Sequence, residues 1–275
     1  MSRLCFAGPA QAHEPDEVAI HDLTLQLRGM RAPAHALLLR AELHRASEQW
    51  AAAESDLADA AALDPTAREL DLCRAVLAFE RGHAAEAVPA FVRYLARAPE
   101  DGAAHAWFAR TLLTLGRARE AAAQYDSALA HTTRITPELI LARVALADSL
   151  EGPAVALGHL ERGLARVGAS APLELRAADL EARLGRVEAA LDRLTRLARE
   201  GGDAVTLGWR RGEVLAGAGR ALDACVEWSE ALQVLEQRFE TGAQTGSEEQ
   251  MRARLRAALD LHLIASTHAI QGGTP

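Results

Sequence analysis

One recurrence constrains this chain more than any other feature. Starting at Ala53, a buried-type alanine returns at Ala87, Ala121, Ala156, Ala190 and Ala224, at intervals of 34, 34, 35, 34 and 34 residues. A second series, Ala41, Ala75, Ala109, Val144, Ala178 and Gly212, keeps the same five intervals. So does a third, Glu48, Gly82, Gly116, Glu151, Gly185 and Gly219. Three registers in step describe one supersecondary unit used six times, and such units bury their apolar faces only by stacking on neighbours.

The stretch Gly102 to Thr133 shows what the unit is. It holds two helical patterns of similar length joined at Gly116-Arg117, with Ala109, Ala121 and Ala128 where two helices would approach each other. A small residue in each helix lets the backbones come close, and glycine at the joint supplies the positive φ that ends the first helix. Four residues after each second-helix alanine stands a large apolar side chain: Leu57, Phe91, Tyr125, Leu160, Leu194 and Trp228. Pro65 and Pro99 fall just past the first two units, where a helix has to stop. Composition agrees with helices. Hydrophobic residues are 49% of the chain but aromatics only 4%, so the core is built from Ala and Leu, which favour helix over strand.

These residues resemble the tetratricopeptide repeat (TPR), a helix–turn–helix unit of 34 residues. The motif is carried best by Gly82-His83-Ala84-Ala85-Glu86-Ala87, Gly116-Arg117-Ala118-Arg119-Glu120-Ala121 and Gly219-Arg220-Ala221-Leu222-Asp223-Ala224. The resemblance implies an all-α fold, a right-handed superhelical solenoid of helix–turn–helix repeats with capping helices at both ends. Six units are expected, at 34–67, 68–101, 102–135, 136–170, 171–204 and 205–236. The family's tryptophan near the start of the first helix is matched only approximately, by Trp107 and Trp209. The fourth unit departs furthest: Val144 replaces a small residue, Glu151-Gly152-Pro153 replaces the simple glycine turn, and the one-residue insertion lies in the link before it. A change of pitch or a looser joint is expected there.

Outside the repeats, residues 1–14 read as a flexible leader or the remnant of a signal peptide. Ala10-Gln11-Ala12 resembles the small-x-small end of a secretory signal, while Leu4 to Ala7 is short for its apolar region, and export to the periplasm is preferred over a cytoplasmic location. In 15–33, Ala19, Leu23 and Leu27 form one amphipathic stripe in second-helix phase, a half-repeat covering the open end. In 237–275 a polar loop leads to Ser247-Glu248-Glu249-Gln250, read as a capping box, and to the stripe Met251, Leu255, Leu259 and Leu263. That helix caps the last repeat or, alternatively, mediates dimerisation.

The chain contains no lysine and no asparagine. Both have A-rich codons, which points to a GC-rich, bacterial genome. The absence also removes Schiff-base, phosphate-loop-lysine and Ser-Lys chemistry. The net charge of -8 argues against a nucleic-acid partner, which needs a basic face, and no apolar run is long enough to span a membrane. Cys5, Cys73 and Cys225 are far apart and form no CxxC, and the ten histidines include no HExxH. His13-Glu14-Pro15-Asp16 reads as a polar leader, and Gly217-Ala218-Gly219 as a repeat turn with no strand before it. No catalytic residue, metal site or cofactor is expected, and so no enzyme.

What remains is binding. In the family, the first helix of each unit lines a concave groove. By register this implies a partner-binding groove of His35, Glu42, Arg45, Leu72, Phe79, Glu80, Arg110, Leu113, Leu141, Asp148, Asp179, Arg183, Trp209 and Glu213, with Leu175 among the flanking positions. Along it the acids Glu42, Glu69, Glu80, Glu138, Asp148, Asp179 and Glu213 outnumber Arg45, Arg110 and Arg183 by seven to three. The groove is therefore expected to be acidic with apolar islands, suited to an extended peptide or protein segment that is basic or mixed in charge. The expected function is a non-catalytic scaffold or adaptor; the alternative is self-assembly into a homo-oligomer through the terminal helices.

Overall fold

The computed structural model describes residues 19–21, 23–24, 33–240, 242 and 245–271, with side chains described as far as His262. The leader, Cys5, Ala10-Gln11-Ala12, His13-Glu14-Pro15-Asp16 and Leu27 lie outside these residues, as does the side chain of Leu263. Among the described residues the regular structure is all helical. Thirteen helices follow one another: α1 Ala34–Ala46, α2 Trp50–Leu63, α3 Arg68–Glu80, α4 Ala84–Arg97, α5 Gly102–Thr114, α6 Ala118–His131, α7 Pro137–Leu150, α8 Pro153–Val167, α9 Ala171–Arg183, α10 Val187–Arg199, α11 Ala204–Gly217, α12 Ala221–Glu240 and α13 Gly246–Gln271. Residues 19–21 and 23–24 are also helical, and Arg40 of α1 reaches the Thr24 hydroxyl at 3.4 Å.

The helices pair into hairpins, α1 with α2 through to α11 with α12, and within each half of the chain, α1 to α6 and α7 to α12, each hairpin packs on the next. The chain divides into two compact units, one ending at Ile135 and the other beginning at Thr136. The division falls in the link that carries the extra residue. Within each unit the arrangement is a stack of helix–turn–helix repeats, as the periodicity requires.

The registers explain the packing. Every alanine of the series Ala53 to Ala224 is buried, as are Leu57, Phe91, Tyr125, Leu160, Leu194 and Trp228. Where the large residue is largest, the facing residue is smallest. Trp228 lies against Gly212, and a Cβ added there would overlap the indole Nε1, Cδ1 and Cε2. The turns follow the same logic. After α3, His83 N–H bonds to Ala78 O at 2.8 Å and Gly82 N–H to Phe79 O at 2.9 Å, which closes the helix with Gly82 at φ 83°. The first hairpin makes the same turn with Glu48 at φ 57°, the one non-glycine in the left-handed region among the described residues. In the fourth repeat the positive φ moves on by one residue, to Gly152 at 92°, and Pro153 opens α8.

α13 covers the sixth hairpin. Leu255 is fully buried against Val205, Leu215, Trp228 and Leu235, with Met251 and Leu259 beside it. Its cap differs from the expected one. Glu248 N–H bonds to Thr245 Oγ1 at 3.3 Å and Thr245 N–H to Glu248 Oε2 at 3.1 Å, so the capping box is Thr245 with Glu248 rather than Ser247 with Gln250. The helix begins at Gly246, two residues earlier than the Ser247 cap implies.

Candidate functional site

The candidate residues fall on two faces, one in each compact unit. In the first unit, α1, α3 and α5 lie side by side, α1 touching α3 and α3 touching α5. Arg45 is buried between carboxylates: its Nη1 donates to Glu80 Oε2 at 2.6 Å and its Nε to Glu42 Oε2 at 3.1 Å. Burial alone would lower its pKa, but Glu42 and Glu80 raise it above the ordinary guanidinium value. Phe79 meets Trp107 edge to face at 5.8 Å, and the Arg110 guanidinium lies over both rings, 4.4 Å from the Trp107 centroid and 5.6 Å from that of Phe79. Leu113 and His35 are exposed. Leu72 is not part of the surface. It is 1% exposed, because in α3 this position faces the interior, as Leu38 does in α1.

In the second unit, α7 touches α9 and α9 touches α11. Asp148 at the end of α7 is held by Arg183 and by Arg176 Nη2 at 2.7 Å, and these guanidiniums keep its carboxyl below the usual range. Arg210 Nη1 stands 3.3 Å from Asp179 and 3.8 Å from Glu213. Burial, with the Asp179 carboxylate adding to it, pushes the Glu213 pKa up against the pull of Arg210. Trp209 is half-buried, stacked on Trp228 at 5.8 Å, and its carbonyl accepts the Trp228 indole N–H at 3.2 Å. Leu141 and Leu175 are half-buried on α7 and α9.

Three residues that the sequence reading left out matter here. Trp107 provides the larger ring under Arg110, and Arg176 and Arg210 pair with groove acids. All three share one register position, which the family's groove pattern omits. Arg68 likewise pairs with Glu69 at 3.2 Å. The seven-to-three acidic surplus is thereby narrowed: of the seven acids, Glu42, Glu69, Glu80, Asp148, Asp179 and Glu213 each have an arginine within 4 Å. Both faces are ladders of mixed charge with apolar side chains between the rungs.

A cleft of about 580 Å³ in the first unit lies at the loop edge between the second and third hairpins, with Glu69 and Leu72 in its lining. Several of its polar groups bond to one another or to the backbone around it. Tyr94 donates to Asp101 at 2.6 Å, Asp101 caps α5 through Ala104 N–H at 3.0 Å, and Arg97 donates to the Thr66 and Arg68 carbonyls. This is the chemistry of a joint between repeats. Among the described residues no group of three or more His, Cys, Asp or Glu side chains could hold a metal ion, and no helix is long and apolar enough to cross a membrane.

Fold and surface define an α-helical repeat scaffold. A family model described as tetratricopeptide repeat matches residues 78–139, and the chain has the TPR fold. Solved structures agree. A tetratricopeptide repeat protein from Parabacteroides merdae is 15% identical, with 88% of this chain and 92% of that one covered at a TM-score of 0.51. PilF from Pseudomonas aeruginosa is 15% identical over 82% of this chain and 96% of its own, at 0.55. YrrB, described as a TPR protein with an unusual peptide-binding site, is 15% identical over 65% of this chain and 91% of its own, at 0.52. No curated protein matches the sequence. The fold points to a protein–protein interaction scaffold, a class that is typically non-catalytic.

Proposed function

We propose that this chain is a non-catalytic adaptor whose repeats hold extended protein segments of mixed or basic charge against the inner face of each compact unit, with residues 15–33 and 237–275 as caps. One observation carries the reading. On the first helices, half-exposed apolar and aromatic side chains (Phe79, Leu141, Leu175, Trp209) alternate with arginine–carboxylate rungs, a surface that is neither solvated uniformly nor buried by its own chain. Complementary charge sets register and partner choice, while the apolar contacts supply affinity. The peptide-binding site described for YrrB, which shares the fold, supports the same use.

The test is capture of the partner from host lysate by the full chain and by a variant carrying Glu80→Arg, Asp148→Arg and Glu213→Arg. Loss of capture with helicity retained supports the reading. Unchanged capture, there and with Leu113→Glu, refutes the groove assignment. A second reading, self-assembly, is favoured by Leu222, Val226 and Leu261, which are 67%, 57% and 67% exposed on α12 and α13. Light scattering of the chain and of a Leu222→Gln/Leu261→Gln variant decides it, and a monomer in both removes it.

A further inference from the structure

We infer that the inner face of the second unit recognises a polyproline-II segment with an apolar side chain at every third residue and a basic side chain next to the last of these. This rests on the groove reading above and specifies its ligand. Leu141, Leu175 and Trp209 occupy the same position of three successive first helices, 34 residues apart, and all three are half-buried. They form a row that crosses α7, α9 and α11, each helix touching the next. Axes of contacting helices are about 8–10 Å apart. A polyproline-II helix rises about 3.1 Å per residue with three residues per turn, so it returns the same face every ~9.3 Å. A β-strand returns its face every ~6.7 Å and falls out of step with the row after one helix.

The first unit is an internal control. Its equivalent positions are Leu38, Leu72 and Ala106; the two leucines are buried and the third residue is small, so no row exists there. The pattern belongs to the second unit alone.

Charge selects the ligand's sign. One turn beyond Leu175 and Trp209 stand Asp179 and Glu213, and these two carboxylates share a single guanidinium, that of Arg210. Arg183, which is bonded to Asp148, acts on Asp179 at longer range, as Arg254 of α13 does on Glu213. Within salt-bridge distance this flank of the row therefore holds one guanidinium for two carboxylates, beside an indole whose face favours a cation. A lysine or arginine of the ligand completes the set. The polyproline-II form adds affinity because its backbone is ordered before it binds.

The experiment measures fluorescence anisotropy of a labelled nonapeptide, Leu-Pro-Pro-Leu-Pro-Pro-Leu-Lys-Pro, with the full chain. The controls are an isomer with its leucines at alternate positions and a peptide with glutamine in place of lysine. Binding of the first peptide at least tenfold tighter than the isomer is expected, with tenfold loss in Leu141→Gln or Leu175→Gln. Asp179→Asn/Glu213→Gln should weaken the lysine peptide by about fivefold, the upper range for an exposed ion pair, and leave the glutamine peptide unchanged. Equal binding of the two isomers, indifference to the charge variant, or no binding of any peptide overturns the rule. If partner capture is still lost in the triple charge reversal, the groove reading survives that failure; if capture is unchanged, the groove reading falls as well.

Discussion

The pair Gly212 and Trp228 gives the sharpest test of how these repeats are packed. Replacing Gly212 with alanine puts a methyl group inside the van der Waals envelope of the Trp228 indole, which is 2% exposed and held by its N–H bond to the Trp209 carbonyl. Overpacking of a filled core costs about 1–3 kcal/mol. Against this, alanine in a helix interior is favoured over glycine by about 0.8–1 kcal/mol. The net expectation for Gly212→Ala is a loss of about 1 kcal/mol, or a fall in melting temperature of about 2–4 °C for a chain of this size. In a Trp228→Leu background the obstruction is gone and only the helix preference remains. There the same substitution should stabilise by about 1 kcal/mol, so the coupling between the sites is about 2 kcal/mol. Thermal unfolding followed by far-ultraviolet circular dichroism on the four proteins measures it. If Gly212→Ala shifts the melting temperature by the same sign and amount in both backgrounds, size complementarity between the two helices is not what fixes the residue.

Four other outcomes are expected. Arg193 binds the buried carboxylates Glu174 at 2.5 Å and Glu181 at 2.7 Å and also Glu161 at 2.7 Å, tying α8, α9 and α10 together; Arg193→Met strips Glu181 of this cation, leaves Glu174 with Arg196 at 3.2 Å, and should cost about 3 kcal/mol in chemical denaturation. Glu48→Gly relieves a left-handed non-glycine turn and should stabilise by about 1 kcal/mol, whereas Gly82→Ala, with open space around it but φ at 83°, should destabilise by a similar amount. Asp148, with its pKa lowered by Arg183 and Arg176, stabilises the fold above its unfolded value near 3.8 and loses that contribution as pH falls through the lower folded value. Glu213, with its pKa raised by burial and Asp179, has the opposite sign, so Glu213→Gln should improve stability at pH 7 more than at pH 4, as melting at the two pH values would show.

The repeat was legible because its determinants are local or strictly periodic. The alanines of Ala53 to Ala224 and the glycines at Gly82, Gly116, Gly185 and Gly219 declare a close approach and a turn without any knowledge of the whole. The charged rungs were not legible, since Arg176 meets Asp148 and Arg210 meets Asp179 across neighbouring hairpins, at separations set by how the helices lean on each other. Leu72 was placed on the surface by a family pattern that marks faces by position, while in α3 that position is covered. The helix cap moved from Ser247 to Thr245 because both are good caps with an acid or amide three residues on, and tertiary packing of Leu255 decides where the first turn starts.

The rungs have one further property. Every cation in them is a guanidinium, since the chain has no lysine, and a guanidinium keeps its proton far beyond pH 10. Alkali therefore has nothing to discharge in these ladders, while acid removes them one carboxylate at a time. The stability profile against pH should be lopsided, steep on the acid flank and level on the basic one, and amine-directed reagents that neutralise lysine side chains should leave the whole array of pairs intact.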